Sequence, residues 1–183
     1  NWHTFTEDFE QNPYWIQNRI QSKDARIRLL LSLSANLKVT DWLTLQARGN
    51  LDYSADKLRQ KFYASTATAL CGMNGRYIEM DYQETQMYGD VMAMVKKQLN
   101  DFTLDVAIGG SINDRITNST RIDSKNASFK YANVFNLANI VMSSSASIDQ
   151  KIDAHYQLQS LFATAQIGYK EGVFLALTAR NDW

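Results

Sequence analysis

The chain has 183 residues and carries 19 Lys+Arg against 19 Asp+Glu, so it presents no net field that would recruit nucleic acid or an anionic surface. Its single cysteine, Cys71, excludes an intrachain disulfide framework, and one proline with eight glycines excludes collagen-like or linker composition. No run of about 18 apolar residues occurs, which rules out a transmembrane helix but not a barrel, where only alternate residues meet lipid.

Residues 1–25 are polar and aromatic without a period and read as a loop. From Arg26 to Val39 the pattern alternates. Ile27, Leu29, Leu31, Leu33, Ala35, Leu37 and Val39 fall on one face, and Arg28, Ser32, Ser34, Asn36 and Lys38 on the other, with Leu30 as the exception. Thr40-Asp41-Trp42 turns the chain into a second strand. There Leu43, Leu45, Ala47, Gly49, Leu51 and Tyr53 oppose Thr44, Gln46, Arg48, Asn50 and Asp52. The first strand exceeds the usual globular length of about 5–6 residues and matches the span of about 9–11 tilted residues used by membrane barrels.

An irregular stretch, about Ala55–Asp81, follows and contains the turn signal Asn74-Gly75. The third strand is expected over about Tyr82–Leu99, with Met87, Gly89, Val91, Ala93 and Val95 facing one way and Tyr88, Asp90, Met92, Met94 and Lys96 the other. Asn100-Asp101 turns into a fourth strand, where Phe102, Leu104, Val106, Ile108, Gly110 and Ile112 oppose Thr103, Asp105, Ala107, Gly109 and Ser111. Residues 113–154, rich in Asn and Ser, read as a second long loop with one apolar patch, Val134–Val141. A fifth strand, about His155–Tyr169, turns at Lys170-Glu171-Gly172 into a sixth, Val173–Asn181.

Connections thus alternate short, long, short, long, short. Long structureless loops are rare in compact domains, whereas short periplasmic turns and long outer loops are the rule in outer-membrane barrels. The expected fold class is all-β, with antiparallel up-and-down strands forming part of a large transmembrane β-barrel. Trp42, Tyr169 and Phe174 then fall at the periplasmic ends, where an aromatic girdle is expected.

Three segments resemble the SusC/RagA family of TonB-dependent outer-membrane transporters. One is Asn12-Pro13-Tyr14-Trp15 followed by Arg26-Ile27-Arg28. Another is Leu37-Lys38-Val39-Thr40-Asp41-Trp42-Leu43-Thr44-Leu45-Gln46-Ala47-Arg48. The last runs from Ser160-Leu161-Phe162-Ala163 through Ile167-Gly168-Tyr169-Lys170 to Leu177-Thr178-Ala179-Arg180-Asn181-Asp182-Trp183. The resemblance implies a barrel of about 22 strands with a plugged lumen, of which residues 1–183 would supply six. Signal peptide, plug and remaining strands would lie elsewhere. The N-terminus shows no basic-then-apolar leader, and both ends read as cuts through a longer protein. It further implies uptake of a glycan or peptide nutrient, TonB–ExbB–ExbD acting through the plug, a SusD-like surface lipoprotein lid, and residence among outer-membrane lipid.

Nothing in the sequence supports catalysis or a cofactor. His3 and His155 lack ligand-like spacing, Cys71 has no activating context, and Asp149 and Asp153 read as solvated loop carboxylates. Arg28, Lys38, Arg48, Asp52, Asp90, Lys96, Asp105 and Arg180 are expected on the lumen face, either hydrating the lumen and contacting the plug or holding substrate. Tyr53, Phe62, Tyr63, Tyr77, Tyr82 and Tyr131 either pack loops or stack on a ligand. Two other readings stay open: a soluble extracellular carbohydrate-binding β-sandwich, and a barrel serving as an adhesin or anchor.

Overall fold

A computed structural model describes residues 12–125, 127, 129–141, 146–170 and 172–183. A short helix, α1 (Pro13–Arg19), leads into six strands: β1 (Ile20–Lys38), β2 (Leu43–Phe62), β3 (Arg76–Leu99), β4 (Phe102–Asp123), β5 (Ser147–Tyr169) and β6 (Val173–Asp182). They form one sheet in chain order, an up-and-down meander. The fold is all-β and antiparallel, as the alternation implies.

The first departure from expectation is α1, which lies inside the segment read as a loop. Its physical cause is local: the Asn12 side chain accepts a hydrogen bond from the Tyr14 backbone N–H at 2.9 Å, and Pro13 occupies the first turn. An asparagine cap followed by proline is a helix start, since proline lacks only an N–H that would have been unpaired.

The second departure is strand length. β2 continues past Tyr53 to Phe62, β3 begins at Arg76 rather than near Tyr82, β4 runs on to Asp123, and β5 starts at Ser147. Asp149 and Asp153 therefore belong to a strand, and the two long connections shrink to the segments following Phe62 and Asp123. Cross-strand contacts mark the extension, with Gln60 donating to Ser22 at 3.3 Å and Gln150 to Thr120 at 3.3 Å. What ends at about Tyr53 is the apolar face, not the ladder. At the same parity, Leu43–Tyr53 gives way to Lys57, Arg59 and Lys61.

The chain falls into two compact units. The turn-end unit comprises Arg28–Tyr53, Glu84–Ile116 and His155–Trp183; the loop-end unit comprises the chain up to Ile27, Ser54–Gln83 and Thr117–Ala154.

In the turn-end unit the apolar face is bare. Leu33 is 69% exposed, Val91 64%, Ile108 59% and Leu177 58%. The β5–β6 register pairs Ala163 with Ala179, Ala165 with Leu177 and Ile167 with Leu175, so each apolar rung continues onto the next strand. The stripe reaches Ile27 on β1, Tyr53 on β2, Met87 on β3, Ile112 on β4, Leu161 on β5 and Ala179 on β6. Contacts between Asn36 and Gln46, Arg48 and Asp90, and Gln86 and Asn113 fix these registers. From β1 to β2, from β2 to β3 and from β5 to β6 the stripe's upper limit recedes by about two residues, which is the stagger of tilted barrel strands.

The turns are short. Val39 and Thr40 donate to the Leu43 carbonyl at 3.0 and 3.2 Å, and the Thr40 hydroxyl accepts from the Leu43 N–H at 3.0 Å. Asn100 turns the next hairpin at φ 51°, a conformation asparagine tolerates. Phe102 packs on Tyr169 at 4.9 Å, and Lys97 sits 5.9 Å over the Trp42 ring. Phe174 departs from its expected place in an outward girdle. It is registered opposite Gly168, where an added Cβ would come within 2.9 Å of its ring, on the face of Thr103 rather than of Tyr169.

The core of the loop-end unit is Tyr77, Ala127, Phe129 and Ile140, backed by Ile122, Phe135 and Ala146. Gly75 closes the preceding turn at φ 114°, and a Cβ there would lie 2.8 Å from the Phe62 carbonyl. Gly75→Ala is expected to cost roughly 1–3 kcal/mol of local order through strain and contact. Limited proteolysis between Tyr63 and Asn74 should accelerate in the folded protein; an unchanged cleavage rate would refute this account of Gly75.

Candidate functional site

In the turn-end unit the polar face is a row of matched charges built on alternate positions. Arg28 donates twice to Asp52, at 2.9 and 2.6 Å. Arg48 Nε reaches both oxygens of Asp90 at 3.1 Å. The Asp90 side chain is wholly buried while that of Arg48 remains half exposed, so the arginine is the part of this pair open to the surroundings. Lys96 meets Asp105 at 3.1 Å. Arg180 bonds Asp182 at 2.8 Å and the Ser160 hydroxyl at 2.9 Å. Lys38, at the end of β1, pairs with Asp41 at 2.8 Å. Paired charges of this kind keep a surface wet without imposing one sign of field, and the exposed pairs contribute little stability.

Of the residues singled out in the sequence, Arg28, Arg48, Asp52, Asp90 and Asp105 gather on this face. Tyr82 shares their parity on β3. Tyr53 does not, because its odd position in β2 places it with Leu51, opposite Asp52. Tyr77 is 4% exposed and belongs to the loop core, its hydroxyl donating to Glu79 at 3.0 Å. Tyr63 packs edge-on to Phe135 at 4.9 Å, Phe62 lies under Arg76 at 5.4 Å, and Tyr131 is exposed.

The loop-end unit contains a feature the sequence did not announce. Asp123, fully buried, accepts from Arg76 at 2.9 and 2.8 Å, from Arg121 at 3.3 Å and from the Lys125 backbone at 2.9 Å. Arg76 also donates to the Leu70 carbonyl at 2.8 Å, tying the β2–β3 connection to the end of β4. Asparagine side chains replace regular backbone pairing beyond it. Asn139 bonds Tyr131 and Val134 carbonyls at 2.7 Å and the Tyr131 N–H at 2.9 Å, while Asn133 accepts from the Ala64 N–H at 2.7 Å and Asn74 donates to the Phe129 carbonyl at 2.9 Å. Trp15 of α1 donates to the Thr66 hydroxyl at 2.9 Å.

Among the described residues no reactive constellation is assembled. Cys71 is buried, with its Sγ 3.8 Å from the Tyr63 and Thr66 carbonyls, and burial pushes its thiol up, away from the nucleophilic thiolate. His155 lies 2.9 Å from both Asp114 oxygens; His3 lies outside the described residues. Among the described residues no group of three or more His, Cys, Asp or Glu comes together as a metal site.

Burial alone would raise the Asp123 carboxyl, but hydrogen bonds from Arg76 and the Lys125 N–H, with the charges of Arg76 and Arg121, outweigh it and hold it below the usual carboxylate range. The depressed value means its contribution is complete above the unfolded pKa, about 3.9, and is lost as pH falls through the lower folded value. Asp123→Ala should cost the loop cluster about 3–5 kcal/mol at neutral pH by stranding Arg76, read as faster amide exchange at Tyr77 and Ser124. In the parent protein the protection of these amides, their exchange measured relative to the intrinsic rate at each pH, should stay flat from neutrality down to about pH 4 and fall below it. Protection that falls already near neutrality, or that Asp123→Ala leaves unmoved, would refute this role.

No protein-family model matches the chain, and no curated protein matches it by sequence. Among solved structures it is similar to the RagAB peptide transporter, with a TM-score of 0.76 at 17% identity. It is equally similar to the RagAB peptide importer in its 'open-open' state (TM-score 0.77) and its 'closed-closed' state (TM-score 0.75), both at 17% identity. Each match covers 93% of this chain and 18% of the other, so the chain spans less than a fifth of the length of those proteins.

Proposed function

We propose that this chain is a section of the wall of an outer-membrane importer that takes up a peptide or glycan, energised by TonB–ExbB–ExbD through a plug carried elsewhere in the full protein and served by a SusD-like surface lipoprotein lid. The observation that carries the reading is the bare apolar face on strands whose backbones are paired within the sheet. A soluble sandwich would bury that face under a second layer, and an exposed apolar surface on this scale calls for a covering phase. The likeness to peptide transporters supports the same fold assignment and makes a peptide the first ligand class to test. In this reading the barrel section is passive. Its apolar face meets lipid, and its polar face, with Arg28, Arg48, Asp52, Asp90 and Asp105, lines the lumen.

Adjacent positions on β1 test the face assignment. Leu33→Arg, on the lipid face of the full-length protein, should cost about 2–4 kcal/mol near the bilayer midplane and reduce the heat-modifiable, outer-membrane-assembled form. Ser34→Arg, on the polar face, should assemble normally. Equal assembly of both variants, or failure of the parent protein to cofractionate with the outer membrane, would overturn the proposal.

A further inference from the structure

The polar face of the turn-end unit is interrupted by an apolar island. Asp90 and Lys96 of β3 both pair across that face, with Arg48 and Asp105, so the residues between them at the same parity, Met92 and Met94, share it. Ala107 and Gly109 hold the matching positions on β4, between Asp105 and Ser111. Phe162 of β5, at the parity of the Arg180-bound Ser160, covers Gly109 so closely that an added Cβ there would stand 2.6 Å from its ring. Met92, Met94 and Phe162 are all half-buried. Apolar groups set into a polar surface mark a place of contact.

Arg48 stands at one edge of this island, and its guanidinium is the open one. Arg26, Arg28, Arg59 and Arg76 each grip a carboxylate with Nε and a terminal nitrogen together. Arg48 meets Asp90 through Nε alone, at 3.1 Å from both oxygens, and its two terminal nitrogens have no partner among the described residues. Asp90 is wholly buried while Arg48 is half exposed, so the unspent donors belong to the accessible side of the pair. The neighbouring carboxylates are taken, Asp52 by Arg28 and Asp182 by Arg180.

We infer that Arg48 and the island together seat the C-terminal residue of a peptide, the guanidinium receiving the terminal carboxylate and Met92, Met94 and Phe162 receiving an apolar side chain. A guanidinium with two donors free matches a carboxylate as a fork. Residues two apart on a strand stand about 7 Å apart, which puts Met92 within one side chain's reach of the charge. The terminal carboxylate is the group that peptides of any sequence share, and methionine adapts its shape to different apolar partners. Such a seat suits a cargo of varied sequence. The inference rests on the importer reading above and adds to it a binding place on the wall itself.

The test uses the full-length protein in detergent with the photo-cross-linking residue benzoylphenylalanine in place of Met94. The probe is a biotinylated pentapeptide ending in leucine, as the free acid or as the C-terminal amide. Illumination should cross-link the free acid about tenfold more than the amide, the worth of one charged hydrogen bond. A serine-terminated free acid should fall below the leucine form. Arg48→Lys should bring the free acid down to the level of the amide, because its single nitrogen is taken up by Asp90; unlike Arg48→Gln, it does not strand that buried carboxylate. Equal cross-linking of acid and amide, no response to Arg48→Lys, or a cross-link to the protein's own chain in place of the peptide would overturn the inference. Calorimetric binding of the same peptide to the parent protein is measured alongside. Binding without the cross-linking pattern counts against this seat alone, and absence of binding counts against peptide uptake itself.

Discussion

A backbone that crosses hydrocarbon has no water to satisfy its N–H and C=O groups, so each strand must find those partners in its neighbours along its whole crossing. In the proposed barrel wall that requirement organises the molecule. It demands long strands in uninterrupted succession, and the chain supplies six in sequence order. It also leaves the side chains free to serve two different surroundings, because pairing uses the backbone alone. Leucine, valine and isoleucine then collect on one face, while Arg48–Asp90 and Arg28–Asp52 collect on the other.

The part of the fold legible in the sequence is the part where those two surroundings differ. Ile27 to Val39 and Leu43 to Leu51 alternate because one strand carries an apolar face and a polar face on opposite sides. Above Ile27 and Tyr53 both sides are polar, the period-two contrast vanishes, and the strands become invisible although their ladders continue through Asp56, Gln60 and Asp123. Helix α1 escaped for another reason: it is shorter than the window over which a helical period can be seen, so only Asn12 and Pro13 signal it. The polar row was readable because parity alone places Arg48 and Asp90 on one face. The role of Tyr77 was not, since its burial depends on Phe129, Phe135 and Ile140, which lie far away in sequence.

The loop cluster is held by a different economy from the sheet. Its apolar content is small, centred on Phe129 and Tyr77, and specificity comes from polar side chains that satisfy backbone groups in place of strand partners. Asn139 serves three such groups by itself. Asp123 collects the ends of β3 and β4 and the connection after β2 into one buried site. Buried polar networks of this type fix a geometry when every member is satisfied and are costly when one is lost, which is how a stretch that reads in the sequence as a long Asn- and Ser-rich loop holds a defined geometry at Asn133 and Asn139.

The extension of the strands past their apolar stripe also bears on how such a protein can change. Within the stripe a substitution must keep the face apolar and suit the neighbouring rung, which leaves few acceptable choices at Leu33, Val91 or Leu177. Past it, a residue has only to keep the backbone paired. Lys57, Arg59, Asn118 and Gln150 sit on strands past the stripe and are free of its demand for an apolar side chain. Variation can therefore accumulate at these positions, reshaping what that part of the chain presents, while the apolar face is left untouched.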